Sequence, residues 1–234
     1  MILDVLHRFV KANIYLASAS PRRIELLQNL GFSLGKSEGS NLPFFTVKPS
    51  KFSETLEKSR FSSPVEYAIA TAFGKAEDVL NNELSDKEKS GLFVLIACDT
   101  VVESPGGEIY EKPLSVEDAK RMLRQLSNNT HRVHSGVVIF VKKSPLHKYT
   151  SYTFSDTTEV TFAALPESII ETHSQSVIDH DKAGGYAIQG RAAAFCVQIK
   201  GSYPNVVGLP IHKLGGTLRE ILTSDDFNGG SSPP

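Results

Sequence analysis

Residues 92–99 read LFVLIACD, an apolar run of strand length closed by Gly91 on one side and Asp99 on the other. A strand with one wet face alternates apolar and polar residues, whereas an unbroken run needs cover on both faces. The chain must therefore place layers on either side of a sheet. Its 234 residues, 40% of them hydrophobic, suffice for such a core in one large domain or two lobes.

The rest of the chain supplies those layers. Residues 14–17 read as a first strand. Ser20 is an N-cap candidate and Pro21 suits the first helical position, which predicts a helix to residue 30 with Gly31 just past its end. Its buried stripe is Ile24, Leu26, Leu27 and Leu30. Residues 33–63 have little period and hold one predicted strand, Phe44–Val47. Residues 64–80 are helical, with Val65, Ile69, Ala72, Ala76 and Val79 on one face. NNELSDKEKSG reads as a polar surface loop, SPGGEIY as a turn and strand, and residues 115–126 as a helix capped by Ser115. HRVHSGVVIFV and YTSYTFSDTTEVTF form a long antiparallel hairpin across KKSPLHK. A helix over 166–174, a Gly-rich passage with one or two strands and a final helix over 210–222 complete the chain. The fold class is α/β, mixed α+β: a mixed twisted sheet flanked by helices. Residues 1–224 form one domain of two lobes, and 225–234 (DDFNGGSSPP) form a disordered tail.

Composition narrows the partners. A formal net charge of -1 argues against nucleic acid, whose binders carry a basic excess, but leaves room for a small anion held by a local cation cluster. Asp4, His7 and Arg8 interrupt the N-terminal apolar stretch, unlike a secretory signal. No run reaches the roughly 20 apolar residues of a membrane span. Cys98 and Cys196 sit in apolar runs and read as buried free thiols of a reducing compartment. The expectation is a cytoplasmic protein with neither a membrane nor a nucleic-acid partner.

Arg22 and Arg23 occupy the first turn of a helix, where the macrodipole disfavours cations. A strand–turn–helix start directs amide N–H groups at one point, and the hydroxyls of Ser18 and Ser20 add donors. An anion there would turn both arginines favourable; otherwise they face solvent or pair with an acid such as Glu25. Asp99-Thr100 follows the buried strand, at the end where ligands gather in open α/β sheets. Asp99 there either binds a hard cation, takes a proton from water, or closes a turn. Lys75 lies at the edge of its helix's buried face, and Lys112 is held by Pro113 before a helix. Each of the two either lies on the surface or faces a phosphate. His131 and His134 are three apart on a strand, face opposite sides and make a poor metal pair. No zinc, P-loop, dinucleotide or serine-hydrolase motif is present.

Taken together, LASASPRRIELL, FGKA, ACDTVV, EKP, KAGGYAIQG and GSYPNVVGLP resemble, in order, the Maf-like nucleoside triphosphate pyrophosphatases over residues 14–222. The resemblance implies a two-lobed fold, Maf/inosine-triphosphatase-like, around a nucleotide-binding cleft. It implies cleavage between the α and β phosphates, a divalent cation (Mg²⁺ or Mn²⁺), a nucleoside triphosphate as small-molecule partner, and a homodimer. Asp99 matches the general base. Ser18, Arg22, Lys75 and Lys112 match positions around the triphosphate, with Ser20 and Arg23 beside them. Glu54 is the candidate second acid and metal ligand alongside Asp99, with Glu57 as its rival. Arg22, Thr100 and Gln189 resemble the dTTP/UTP branch. Relatives linked to septum formation leave a non-catalytic nucleotide-binding regulator as the alternative.

Overall fold

The computed structural model describes residues 2–36, 42–143 and 148–223. The predicted tail, residues 225–234, lies outside the described residues. Strands β1 (Asn13–Leu16), β2 (Ser33–Leu34), β3 (Phe44–Val47), β4 (Phe93–Glu103), β5 (Ile109–Tyr110), β6 (Thr130–Lys142), β7 (Thr150–Phe162) and β8 (Cys196–Lys200) join one sheet. Its order is β2-β3-β1-β4-β6-β7-β8, with β5 also on β4. The first four strands of that order run parallel. From β4 onward every pairing is antiparallel, including the β6–β7 hairpin.

The apolar run became the centre of this sheet and is covered on both faces, as its composition demanded. Phe93, Leu95 and Ala97 pack under Ala72 and Ala76 of α2 (Pro64–Asp78) and under Val79 just past its end. Val94, Ile96 and Cys98 share a core with Leu26 and Leu27 of α1 (Pro21–Asn29) and with Leu214 and Leu218 of the C-terminal helix over Ile211–Thr223. Burying such side chains is worth about 1.5–3 kcal/mol each, so this strand anchors the molecule. Between these helices in sequence lie α3 (Val116–Leu126), α4 (Glu167–Gln175) and α5 (Tyr203–Val207), and the C-terminal helix is α6.

Several local expectations need correction. Asp99 does not end the strand: β4 runs on to Glu103 because β6 pairs it over its whole length, Asp99 lying opposite Gly136. Ser20 occupies the N-cap of α1 but its hydroxyl caps nothing; its amide donates instead to Ser18 Oγ at 3.2 Å. In α1 only Leu26 and Leu27 are buried. The buried face of α2 is Tyr67, Ala68, Thr71, Ala72, Lys75 and Ala76; Val65 and Ile69 are only half-buried. After Asp78 a π-helical turn, Val79–Glu83, takes the chain into what had read as a loop. The Gly-rich passage holds one strand, β8. Cys98 is buried, but Cys196 is half-exposed at the start of that edge strand. Among the described residues no helix is long and apolar enough to cross a membrane.

Candidate active site

The site is set by a gap in the sheet. Along one edge, β4 pairs with β1 from Phe93 to Ile96 and with β5 at Val102 and Glu103. Between those stretches that edge has no strand beside it among the described residues, and Asp99 and Thr100 lie in the opening. Side chains alternate faces along a strand, so Asp99 turns toward α2 and Thr100 toward α1. A cleft of about 720 Å³ fills the gap and reaches both faces.

On the α2 face, Lys75 donates to Asp99 Oδ1 at 2.7 Å and lies 3.0 Å from Glu54 Oε1. Lys112 approaches Glu54 Oε2 at 3.5 Å. The row therefore alternates acid, base, acid, base. Lys75 and Asp99 are both nearly buried, 8% and 6% exposed, so the lysine does not snorkel out as its edge position had allowed. Burial pushes the Asp99 carboxyl above its ordinary value, outweighing the opposite pull of Lys75 and Arg23. For Glu54 burial pushes the same way, but Lys75 and Lys112 prevail and hold it below the usual range.

Glycine and a carboxylate explain how this row is assembled. A Cβ on Gly136 would fall 2.5 Å from the backbone nitrogen of Ile69, so only glycine lets α2 press onto the sheet opposite Asp99. A Cβ on Gly74 would strike the Phe52 ring at 2.4 Å. Phe52 thus sits on the helix beside Lys75, while Asp78 accepts from Ser50 Oγ and the Lys51 amide, both at 2.7 Å. These contacts fix the segment carrying Glu54. Glu57 pairs instead with Ser59 and Arg60 outside the cleft.

On the α1 face the two arginines part company. Arg23 donates to Gly208 O at 2.9 Å, Thr100 Oγ1 at 3.1 Å and Ser18 Oγ at 3.3 Å. It locks the strand–turn–helix start to the 203–208 segment, and Thr100 passes the chain on to Ser135 at 2.9 Å. Arg22 has no hydrogen bond or ion pair among the described residues. It is half-buried in the cleft wall, and burial lowers its pKa against the pull of Asp181 and Asp179.

Every predicted site residue lines this one cleft: Ser18, Ser20, Arg22, Arg23, Glu54, Lys75, Asp99, Thr100, Lys112 and Gln189. Sequence reasoning passed over Glu111, Asp181, Lys182 and Tyr186, which line it too. Glu111 accepts from Tyr67 at 2.7 Å and pairs with Lys58 at 2.8 Å, fixing the residue before Lys112. Lys182 and Tyr186 stood in the glycine-rich motif, where the glycines drew the attention. The histidines play no part as a pair: His131 bonds Tyr186 and His134 bonds Glu103.

Among the described residues no cluster of three or more metal-ligating side chains occurs. The donor chemistry still suits a hard cation: two carboxylates meet at Lys75, and Asp99 Oδ2 carries no protein partner among the described residues.

Fold and site define an α/β protein with an acid–base cleft built for a small polyanion. The Maf-like protein family matches residues 13–221, and the chain belongs to that family. It is 38% identical over 89% of its length to a protein of Bacillus cereus named dTTP/UTP pyrophosphatase, covering 95% of that protein. A protein of the same name from Chelativorans sp. is also 38% identical, over 92% of this chain and 91% of its own. A human protein named probable bifunctional dTTP/UTP pyrophosphatase/methyltransferase is 37% identical over 91% of this chain, which spans only 32% of that longer protein. The solved Ham1 protein of Staphylococcus aureus aligns at 15% identity and a TM-score of 0.37, over 90% of this chain and all of its own, too slight a likeness to bear on the fold.

Proposed function

We propose that residues 1–224, as one two-lobed domain, hydrolyse dTTP and UTP to the monophosphate and pyrophosphate. The observation that carries this reading is the buried Lys75–Asp99 pair opening onto a cleft with further cations on its walls. Water attacks the α-phosphorus and Asp99 takes its proton, while the bond from the α-phosphorus to the bridging oxygen breaks and that oxygen leaves with pyrophosphate. Lys75 orients the Asp99 carboxylate and, with Lys112 and Arg22, offsets the charge on the leaving group; such reactions depend mostly on positioning and charge stabilisation. Ser18 and Ser20 add hydroxyl donors at the start of α1. Gln189, exposed at the rim, offers both a donor and an acceptor to a pyrimidine edge.

Asp99 and Glu54 are the residues that would hold Mg²⁺ or Mn²⁺, with substrate phosphates and water as the other ligands; a bound cation would supply charge neutralisation for the triphosphate. We place the activity in the cytoplasm, in a homodimer.

The test is incubation with a panel of nucleoside triphosphates and Mg²⁺, assaying pyrophosphate and orthophosphate separately. Pyrophosphate released fastest from dTTP or UTP is the expected result. Orthophosphate would move the cut to the β–γ bond, and nucleotide binding without product would favour the regulator.

A further inference from the structure

Beside the cations already given roles, the cleft contains a lysine whose only close acidic partner among the described residues is a solvent-facing acid. Lys182 lines the cleft and its side chain is 16% exposed, whereas that of its ion-pair partner Asp181 is 69% exposed. Asp181 lies next to Lys182 in sequence and also acts electrostatically on Arg22, across the cleft on α1. Backbone bonds fix where Lys182 stands: the Gly185 amide donates to its carbonyl at 3.1 Å, and the Gly184 amide donates to Glu111 O at 3.0 Å. Gly184 and Gly185 have φ of 74° and 71°, a region where glycine is the natural residue. The loop thereby brings Lys182 to the strand end that carries Lys112.

A mostly buried lysine side chain on the wall of a polyanion cleft, neutralised by an acid that water already reaches, is set for exchange of one anion for another. We infer that Lys182 is a further polyphosphate-binding residue, and that Asp181 is its resident counter-ion, displaced when the triphosphate enters. The proposal rests on the functional reading above and deepens it. Asp181 then competes with substrate for Lys182, and its displacement also withdraws its electrostatic pull from Arg22.

Inorganic tripolyphosphate tests this without a base, by calorimetric titration in parallel with dTTP hydrolysis. Lys182→Met keeps the aliphatic stem and removes the charge. It is expected to weaken tripolyphosphate binding about ten-fold or more, the scale of a charge-assisted contact, and to raise KM for dTTP by a similar factor. Lys182→Arg should retain most of the affinity, which separates charge from packing should the Met variant fold poorly. Asp181→Asn should tighten tripolyphosphate binding several-fold by removing the competitor. Unchanged affinity in a folded Lys182→Met variant, or weaker binding in Asp181→Asn, overturns the inference. A wild-type protein that binds tripolyphosphate but releases no pyrophosphate from any nucleotide overturns the functional reading instead.

Discussion

Asp99 and Lys75 carry most of what a single residue can decide here. Exchanging Asp99 for Asn removes the proposed proton acceptor but keeps the shape, so kcat should fall by about 10²–10⁴ while nucleotide still binds; a variant with full pyrophosphate release would exclude Asp99 as the base. Because burial raises the Asp99 pKa and only the carboxylate accepts a proton, activity should rise with pH through that raised value. The acid limb of kcat/KM, corrected for the substrate's own titration, is expected above the ordinary aspartate value of about 3.9. Lys75→Met leaves Asp99 buried with its ion-pair partner gone, and removing one member of a buried pair costs about 3–5 kcal/mol. Urea unfolding should show that loss, and the acid limb should move to still higher pH. At this scale residue types were legible in the sequence but partners were not. Arg22 and Arg23 look alike in the chain, yet one is spent on Gly208 and Thr100 and the other faces the cleft. Only the fold, which brings residues 100 and 208 to the same helix, separates them.

Among the elements, α2 was legible because its apolar spacing is a local signal; the structure adds a cap by Ser63, which accepts from the Glu66 amide. Its exact face was not legible, since that depends on a glycine in a strand far along the chain. Gly136→Ala should push α2 off β6 at Ala68 and Ile69, with a cost of about 1–3 kcal/mol for overpacking and a fall in kcat as Lys75 is drawn from Asp99. A thermal melt together with steady-state kinetics would check both parts; unchanged kinetics in a destabilised variant would confine Gly136 to packing. β4 was read correctly as the doubly covered strand, but its length was not. The polar letters Asp99, Thr100 and Glu103 resembled an exit, and the pairing by β6 that extends the strand is non-local.

For the molecule as a whole, the layered mixed sheet followed from one apolar run and the helix–strand alternation around it, whereas strand order, decided by contacts distant in sequence, did not. Global stability should carry a signature of His131. It is 1% exposed, bonded to Tyr186 and packed between Phe162 and Tyr186, and burial pulls its pKa down to about 4. The unfolded chain takes up its proton near pH 6.5, the folded one only near 4, so stability is full above pH 6.5 and drains as pH falls through that window. The loss from this group reaches about 3 kcal/mol at 1.36 kcal/mol per pH unit. Urea midpoints at pH 7 and pH 4.5 should differ accordingly, and by less in His131→Phe; an equal difference would show other groups to be responsible.

The gap in the edge of β4 has a consequence for what mutagenesis can reach. Main-chain polar groups alternate sides along a strand, and Ile96 offers its carbonyl to Ala17 while Ser104 donates to Glu108 on the same edge. Thr100, in step with them, turns its own N–H and C=O toward that edge where, among the described residues, no strand stands. Its amide is a proton donor aimed into the cleft that belongs to the backbone itself. No exchange of side chain short of proline deletes it, so a protein stripped of Arg22, Lys112 and Lys182 should keep a residual grip on inorganic phosphate, to which the sheet contributes beside Lys75 and the hydroxyls of Ser18 and Ser20.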